Sequence, residues 1–240
     1  MIPPEAFFTV HRDLPREGPG EAADVLWALA VAGTPRNARV LDAACGPGAD
    51  TVTLAEARAD AKVEAIEKQE HFVEAARRRT ARFGGRVSVR RGDYRELDGR
   101  YDFIWCAGAA YFVGVGALLE AWRAHLAPGG AVAFSEPALM IEPPSKAARA
   151  YWEGEYDVKT LSGIEAEVHG AGWGIAGQRW VVDAPWAAYY GPMSARLDRL
   201  EETDQPAEVA AAIAVHRAEI AKWQAARTEV AYALFVVRPE

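Results

Sequence analysis

Three carboxylates in this chain each sit at or just past the end of a short apolar run: Asp42 in "RVLDAA", Glu67 closing "KVEAIE", and Asp93 in "RRGDY". The first opens the loop "DAACGPG", which leads into a helical pattern starting near Asp50. Gly46 and Gly48 allow torsions and a close backbone approach that a side chain would block. The following helix offers unpaired N–H groups at the same place. Such a loop is either a plain strand-to-helix turn or a cradle for a nucleotide-like ligand. The recurrence of a carboxylate after three successive strands favours the cradle.

Two ligands compete for it. A nicotinamide dinucleotide expects G-x-G-x-x-G, with its pyrophosphate over the helix start. Gly46 and Gly48 supply the first two glycines, but Thr51 stands at the third. Asp42 at the mouth of the loop repels a pyrophosphate and suits a ligand that carries an ammonium group. S-adenosylmethionine carries an ammonium and a sulfonium and no phosphate. Glu67 is placed to accept both hydroxyls of a ribose, which either ligand has. Asp93 can accept from an exocyclic adenine amino group while Tyr94 covers the ring.

The elements that must position these groups alternate. "EAADVLWALAVAG" spaces Val25, Leu26, Leu29 and Ala30 as one helical face and stops at Gly33. "ARVLDAA" reads as a strand buried on both faces, followed by a helix over residues 50–58, a strand over 62–67 and a helix over 70–85. "RVSVRRGD" and "YDFIWCAG" are the next strands; "GALLEAWRAHLAPGG" is a helix ending in a Pro-Gly-Gly turn, and "AVAFSEP" a fifth strand. This alternation predicts right-handed crossovers and a parallel sheet covered by helices on both faces. Further on, a short helix over 147–151, a helix over 156–172, a strand in "GIAGQRWVVD" and a last strand in "EVAYALFVVRPE" are expected. Between those strands, residues 184–227 form a helical insertion, in which Val209, Ile213, His216, Ile220 and Trp223 repeat at helical spacing. The chain reads as one domain, residues 1–240: an N-terminal segment and helix (1–38), a binding core (39–136) and the insertion (184–227) as a lid.

The chain's 240 residues carry a net charge of -7, which argues against a protein built to grip nucleic acid. The basic run "ARRRTAR" reads as a solvated helix face. Two cysteines at Cys45 and Cys106 fit neither a disulfide framework nor a zinc site. With no apparent signal peptide and no run long enough to span a bilayer, a cytoplasmic protein without membrane association is expected.

"VLDAACGPG", "VEAIEK", "RRGDY", "YDFIWCAGAAY" and "LAPGG" resemble the ordered motifs of class I S-adenosylmethionine-dependent methyltransferases. The resemblance implies an α/β Rossmann-like sheet of seven strands in the order 3-2-1-4-5-7-6, with strand seven antiparallel. It also implies S-adenosylmethionine as cofactor. Asp42 and the turn Ala44, Cys45, Gly46 and Gly48 should face its methionine part, with Cys106 beside them. Glu67 and Lys68 should hold the ribose, and Asp93 and Tyr94 the adenine. "GAAYFVG", "EGPG" and "WAAYYGPMSARL" are similar to a bacterial subset acting on small molecules, in which a Ser-Glu pair often precedes Gly-Ala; here Cys106-Ala107 stand instead. A small-molecule methyl acceptor is therefore expected, lined by Tyr111, Trp186, Tyr189 and Tyr190, with no metal and no residue singled out as catalytic base. The alternatives are a binding protein that no longer transfers methyl and a nicotinamide-dependent dehydrogenase. His11 precedes "EGPG", a segment placed to fold over the cofactor, and His216 falls on the apolar stripe of its helix.

Overall fold

The computed structural model describes residues 2–154 and 158–240. Its strands are β1 (Arg39–Ala43), β2 (Lys62–Glu67), β3 (Val87–Arg91), β4 (Tyr101–Cys106), β5 (Leu126–Leu139), β6 (Lys159–Thr160), β7 (Trp173–Val182) and β8 (Val230–Pro239). They pair in the order β3-β2-β1-β4-β5-β8-β7, and the two-residue β6 adds onto β5. Strands β1 to β5 run parallel, while β8 is antiparallel to both β5 and β7. This is the expected topology with one extra two-residue strand.

Period-two alternation along each strand divides the core into two layers. Val40, Phe103, Leu234 and Val236 face one layer; Leu41, Ile104, Phe235 and Val237 face the other. The helices are α1 (Pro4–His11), α2 (Ala22–Val31), α3 (Ala49–Ala57), α4 (Glu70–Thr80), α5 (Val115–Arg123), α6 (Lys146–Trp152), α7 (Leu161–Gly170), α8 (Ala184–Glu201) and α9 (Ala207–Ala225). Helices α5 and α7 cover the second layer through Leu118, Trp122, Ile164 and Val168. Helices α1, α2, α3, α8 and α9 cover the first.

Several expected boundaries shift. Helix α2 buries Val25, Ala28 and Leu29, while Leu26 is 48% exposed, so its apolar face is rotated from the one the spacing predicts. The helix over 70–85 stops at Thr80 and tightens into a 3-10 segment, Ala81–Arg86, broken by Gly84 at φ 57. Helix α5 ends before the Pro-Gly-Gly run, which instead belongs to β5: Leu126 pairs with Tyr101, and pairing resumes at Phe103 with Ala131. The intervening residues bulge, and a Cβ on Gly130 would stand 3.0 Å from the carbonyl oxygens of Ala127 and Tyr101. Residues 159–160 form β6 rather than helix, and Tyr156 and Asp157, the start of the expected helix over 156–172, lie outside the described residues. The residues between β7 and β8 form α8 and α9. Helix α9 contacts α1 and α6, which brings α1 and α9 together although they lie near opposite ends of the chain.

Packing of the loop after β1 decides how α3 and α4 meet. Gly48 sits at φ 85 as the residue before α3, and a Cβ there would stand 2.9 Å from the Cβ of Ala76 on α4. Ala44 also holds positive φ, 57°, without being glycine. Gly48→Ala is expected to destabilise the protein by about 2–4 kcal/mol, from left-handed strain plus overpacking. Ala44→Gly should leave stability unchanged or raise it. Thermal unfolding of the two variants checks both: Gly48→Ala should melt lower by roughly 5–15 °C, in line with domains of this size.

Candidate active site

The carboxyl ends of β1, β2 and β4 lie side by side at the point where strand order reverses, the place where open α/β sheets bind ligands. A cavity of about 530 Å³ opens there. The loop after β1 forms its floor, and Glu67 at the end of β2 ties that loop down. One Glu67 oxygen accepts from the Gly46 N–H at 3.0 Å; the other accepts from the N–H groups of Lys68 and Gln69 at 2.7 and 2.8 Å. The carboxylate is thus held by three backbone donors, with lone pairs remaining toward the cavity.

Asp42 is buried and accepts a 2.5 Å hydrogen bond from the Thr51 hydroxyl on α3. Thr51, which departs from the dinucleotide pattern, therefore serves to fix Asp42. Burial drives the Asp42 pKa well above the ordinary carboxylate range, and the nearby charge of Asp50 adds to the rise. Asp50 in turn accepts from Trp105 Nε1 at 3.1 Å and from the Arg16 guanidinium at 2.7 Å. Arg79 donates to the carbonyls of Pro15 and Pro47 at 2.7 and 2.8 Å. Arg16 and Arg79 thereby strap residues 15–19 across the loop, and Glu17 packs with its Cγ 3.6 Å from where a Gly46 Cβ would lie. Arg79 is one arginine of "ARRRTAR" that is not simply solvated; Arg77, Arg78 and Arg82 pair with Glu70, Glu74 and Glu56 at the surface.

Of the residues singled out in the sequence, Asp42, Ala44, Cys45, Gly46, Glu67, Lys68, Tyr94, Tyr111 and Tyr189 line this cavity. Tyr94 donates to the Ala109 carbonyl at 3.1 Å, and burial pushes its hydroxyl up to about 12. Gly48 acts one step behind, in helix packing. Asp93 lies outside the lining: Arg95 grips both its oxygens and holds its carboxyl down at about 2. Cys106 is fully buried beneath the floor, and burial raises its thiol, as it does that of Cys45, so both are held as uncharged fillers. Trp186 and Tyr190 are also buried and line a second, adjoining cavity of about 230 Å³.

Glu17, Asp50, Trp105, Glu219 and both His11 and His216 also line it. His11 Nδ1 lies 2.6 Å from a Glu17 oxygen, the two Nε2 atoms of His11 and His216 are 2.9 Å apart, and His216 Nδ1 lies 2.7 Å from the Ala212 carbonyl. His216 occupies the apolar stripe as its spacing predicts, yet its polar edge meets a residue 205 positions away. Spacing along one helix carries no trace of that partner. Among the described residues, no group of His, Cys, Asp and Glu is arranged to hold a metal ion, and no helix is long and apolar enough to cross a membrane.

Residues 40–130 match the family model described as "Methyltransferase domain". Among solved structures, the chain is similar to an S-adenosylmethionine-dependent methyltransferase from Geobacter sulfurreducens in complex with S-adenosyl-L-homocysteine, with a TM-score of 0.86 at 20% identity over 100% of this chain and 99% of that one. A counterpart from Thiobacillus denitrificans, in complex with the same molecule, gives 0.86 at 20% identity over 100% of both chains. The [4+2]-cyclase SpnF is similar at a TM-score of 0.75 and 15% identity, over 98% of this chain and 92% of that one. Among curated protein sequences none matches. The methyltransferase-domain match thus covers residues 40–130, and the whole chain shares the Rossmann-like fold of these solved structures.

Glu67→Ala removes the acceptor of three backbone N–H groups and is expected to cost about 2–4 kcal/mol in a urea unfolding experiment. Glu67→Gln, which keeps one accepting oxygen, should cost about half as much.

Proposed function

We propose that this protein is an S-adenosylmethionine-dependent methyltransferase acting on a small-molecule acceptor. One observation carries the proposal: within the segment that matches the methyltransferase domain, Asp42, Asp50 and Glu67 line the cavity around the loop after β1, and the Arg16 guanidinium beside them is already engaged on Asp50. The donor chemistry fits. Asp42 pays a desolvation penalty as an anion beside Asp50 and Glu67, which a cationic guest relieves and a pyrophosphate would worsen. Glu67 is already fixed by N–H groups and so presents acceptor lone pairs in a set direction, as ribose hydroxyls require.

Bound here, S-adenosylmethionine supplies a methyl group already activated on a sulfonium. The chain's own task is then mainly to align two reactants and keep water out. Asp42 and Glu67 would hold the cofactor, with Lys68 and Tyr94 alongside. Residues 15–19, fastened by Arg16 and Arg79, close over the loop. The adjoining aromatic cavity, reached past Tyr111 and Tyr189, is the place for the acceptor; both residues line both cavities. Its volume, about 230 Å³, suits a compact molecule and not a nucleic acid strand. Tyr189 fits the expected acceptor role, and Trp186 and Tyr190 would act as the chamber's back wall.

Calorimetric titration should show binding of S-adenosylmethionine and S-adenosyl-L-homocysteine and none of NADH. Asp42→Asn and Glu67→Gln should each weaken S-adenosylmethionine at least tenfold, a loss of about 1.4 kcal/mol. Incubation with methyl-labelled donor and a metabolite extract should give labelled small molecules; tight binding with no labelled product would instead mark a protein that holds the cofactor without transferring methyl.

A further inference from the structure

Three contacts in series run from Glu17 through His11 and His216 to the Ala212 carbonyl. A carbonyl only accepts, so His216 Nδ1 carries a proton. With neutral rings, His216 Nε2 is then bare and takes a hydrogen bond from His11 Nε2–H, which leaves His11 Nδ1 bare toward Glu17. The contact to Glu17 is satisfied only by one more proton, held on the carboxyl or on His11. The series therefore stores a shared proton at its Glu17 end.

That end faces the site. The second Glu17 oxygen, Oε1, is buried without a hydrogen-bond partner among the described residues. Glu17 lines both cavities, standing where the cofactor cleft meets the aromatic chamber. The chamber presents the rings of Trp186 and Tyr190 and the carboxylate of Glu219, which accepts from the Tyr190 hydroxyl at 2.6 Å; Lys222, also in its lining, is exposed to solvent. Two carboxyl groups and aromatic faces form a receptor for an organic cation. A protonated amine is such a cation, and it becomes a nucleophile only after losing a proton.

We propose that Glu17 is the catalytic base of this site, that His11 and His216 are positioning residues that hold its proton, and that the acceptor is a compact primary or secondary amine bound as its ammonium. The inference rests on the methyltransferase reading above. An N–H proton of the ammonium passes to Oε1 of the Glu17 carboxylate, and its bonding pair stays on nitrogen. That pair then forms the bond to the methyl carbon, while the carbon–sulfur bond breaks with its electrons remaining on sulfur. The product is a methylated ammonium and a neutral sulfide.

The groups around Glu17 are His11 from α1, His216 and Glu219 from α9 and Glu67 from β2, with Arg16 engaged on Asp50; of these, the charge of Glu67 raises its titration and that of His216 lowers it. Burial, and next the charge of Glu67, raise the Glu17 carboxyl to about 8, and burial lowers His11 to about 4. Glu17 thus gains its base form as pH rises toward 8.

The test pairs an acceptor-free measurement with a turnover measurement. Carbon-detected NMR of the free wild-type protein should show the Glu17 carboxyl titrating near 8, and His216→Phe should move that midpoint. Wild type and Glu17→Gln are then given methyl-labelled S-adenosylmethionine with a panel of simple amines, phenols and thiols. With S-adenosylmethionine saturating for each protein, the expected result is label on amines and a loss of about 100-fold or more in the turnover of Glu17→Gln. The wild-type kcat/KM should rise with pH on a limb that Glu17→Gln lacks. The proposal is overturned by a Glu17 carboxyl that titrates as an ordinary glutamate, or by equal rates in wild type and variant. Label confined to phenols or thiols, or no label on any acceptor while the cofactor binds, also overturns it. If the wild type does not bind S-adenosylmethionine, the methyltransferase reading itself fails.

Discussion

The site depends on keeping carboxylates out of water at the ends of parallel strands. Burial makes an anion costly unless hydrogen bonds or a counter-charge compensate it. Glu67 meets that cost with three backbone N–H donors, and Asp50 with an arginine and an indole. Asp42 has the Thr51 hydroxyl, and Glu17 has His11 on one side only. The uncompensated remainder is what the cavity offers to a cation. A structure that buries negative charge this incompletely has a preference for positive ligands built into it before any ligand arrives.

The rest of the fold can be read as support for that arrangement. The parallel order β2-β1-β4 sets the two strand-end acids next to each other. Gly48 lets α4 close on α3, and the Glu17 side chain of the strap packs against the loop at Gly46. Arg16 and Arg79 neutralise local charge while fastening that strap, so one set of ion pairs and hydrogen bonds serves both geometry and electrostatics. On the far side, α1 and α9 bring two histidines into line with Glu17.

What could be read along the chain was what depends on neighbours in sequence. The alternating strands, the loop "DAACGPG" and the acids at 42 and 67 all declare themselves through local pattern, and the sheet order follows from the resemblance those patterns carry. The errors have local causes too: Pro-Gly-Gly signals a stop for α5 but equally a bulge in β5, and only pairing with β4 decides between them. The pairing of Asp93 with Arg95, two residues on, likewise shows only in the structure. Glu17, His11, His216 and Glu219 were not legible as a group, because their association is made by packing α9 against α1 and the segment that follows α1, from opposite ends of the chain. His216 satisfied the apolar periodicity of α9 and gave no sign of its polar partner.

The most direct test of incompletely compensated buried charge is the proton balance of binding. Titrating S-adenosylmethionine calorimetrically at about pH 6.5 in two buffers of different ionisation enthalpy measures protons released, since a cation lowers the raised carboxyl pKa values on binding. Net proton release, reduced when residue 42 is made neutral, is the predicted result. Binding with no proton release, and with the same balance in that variant, would contradict the account.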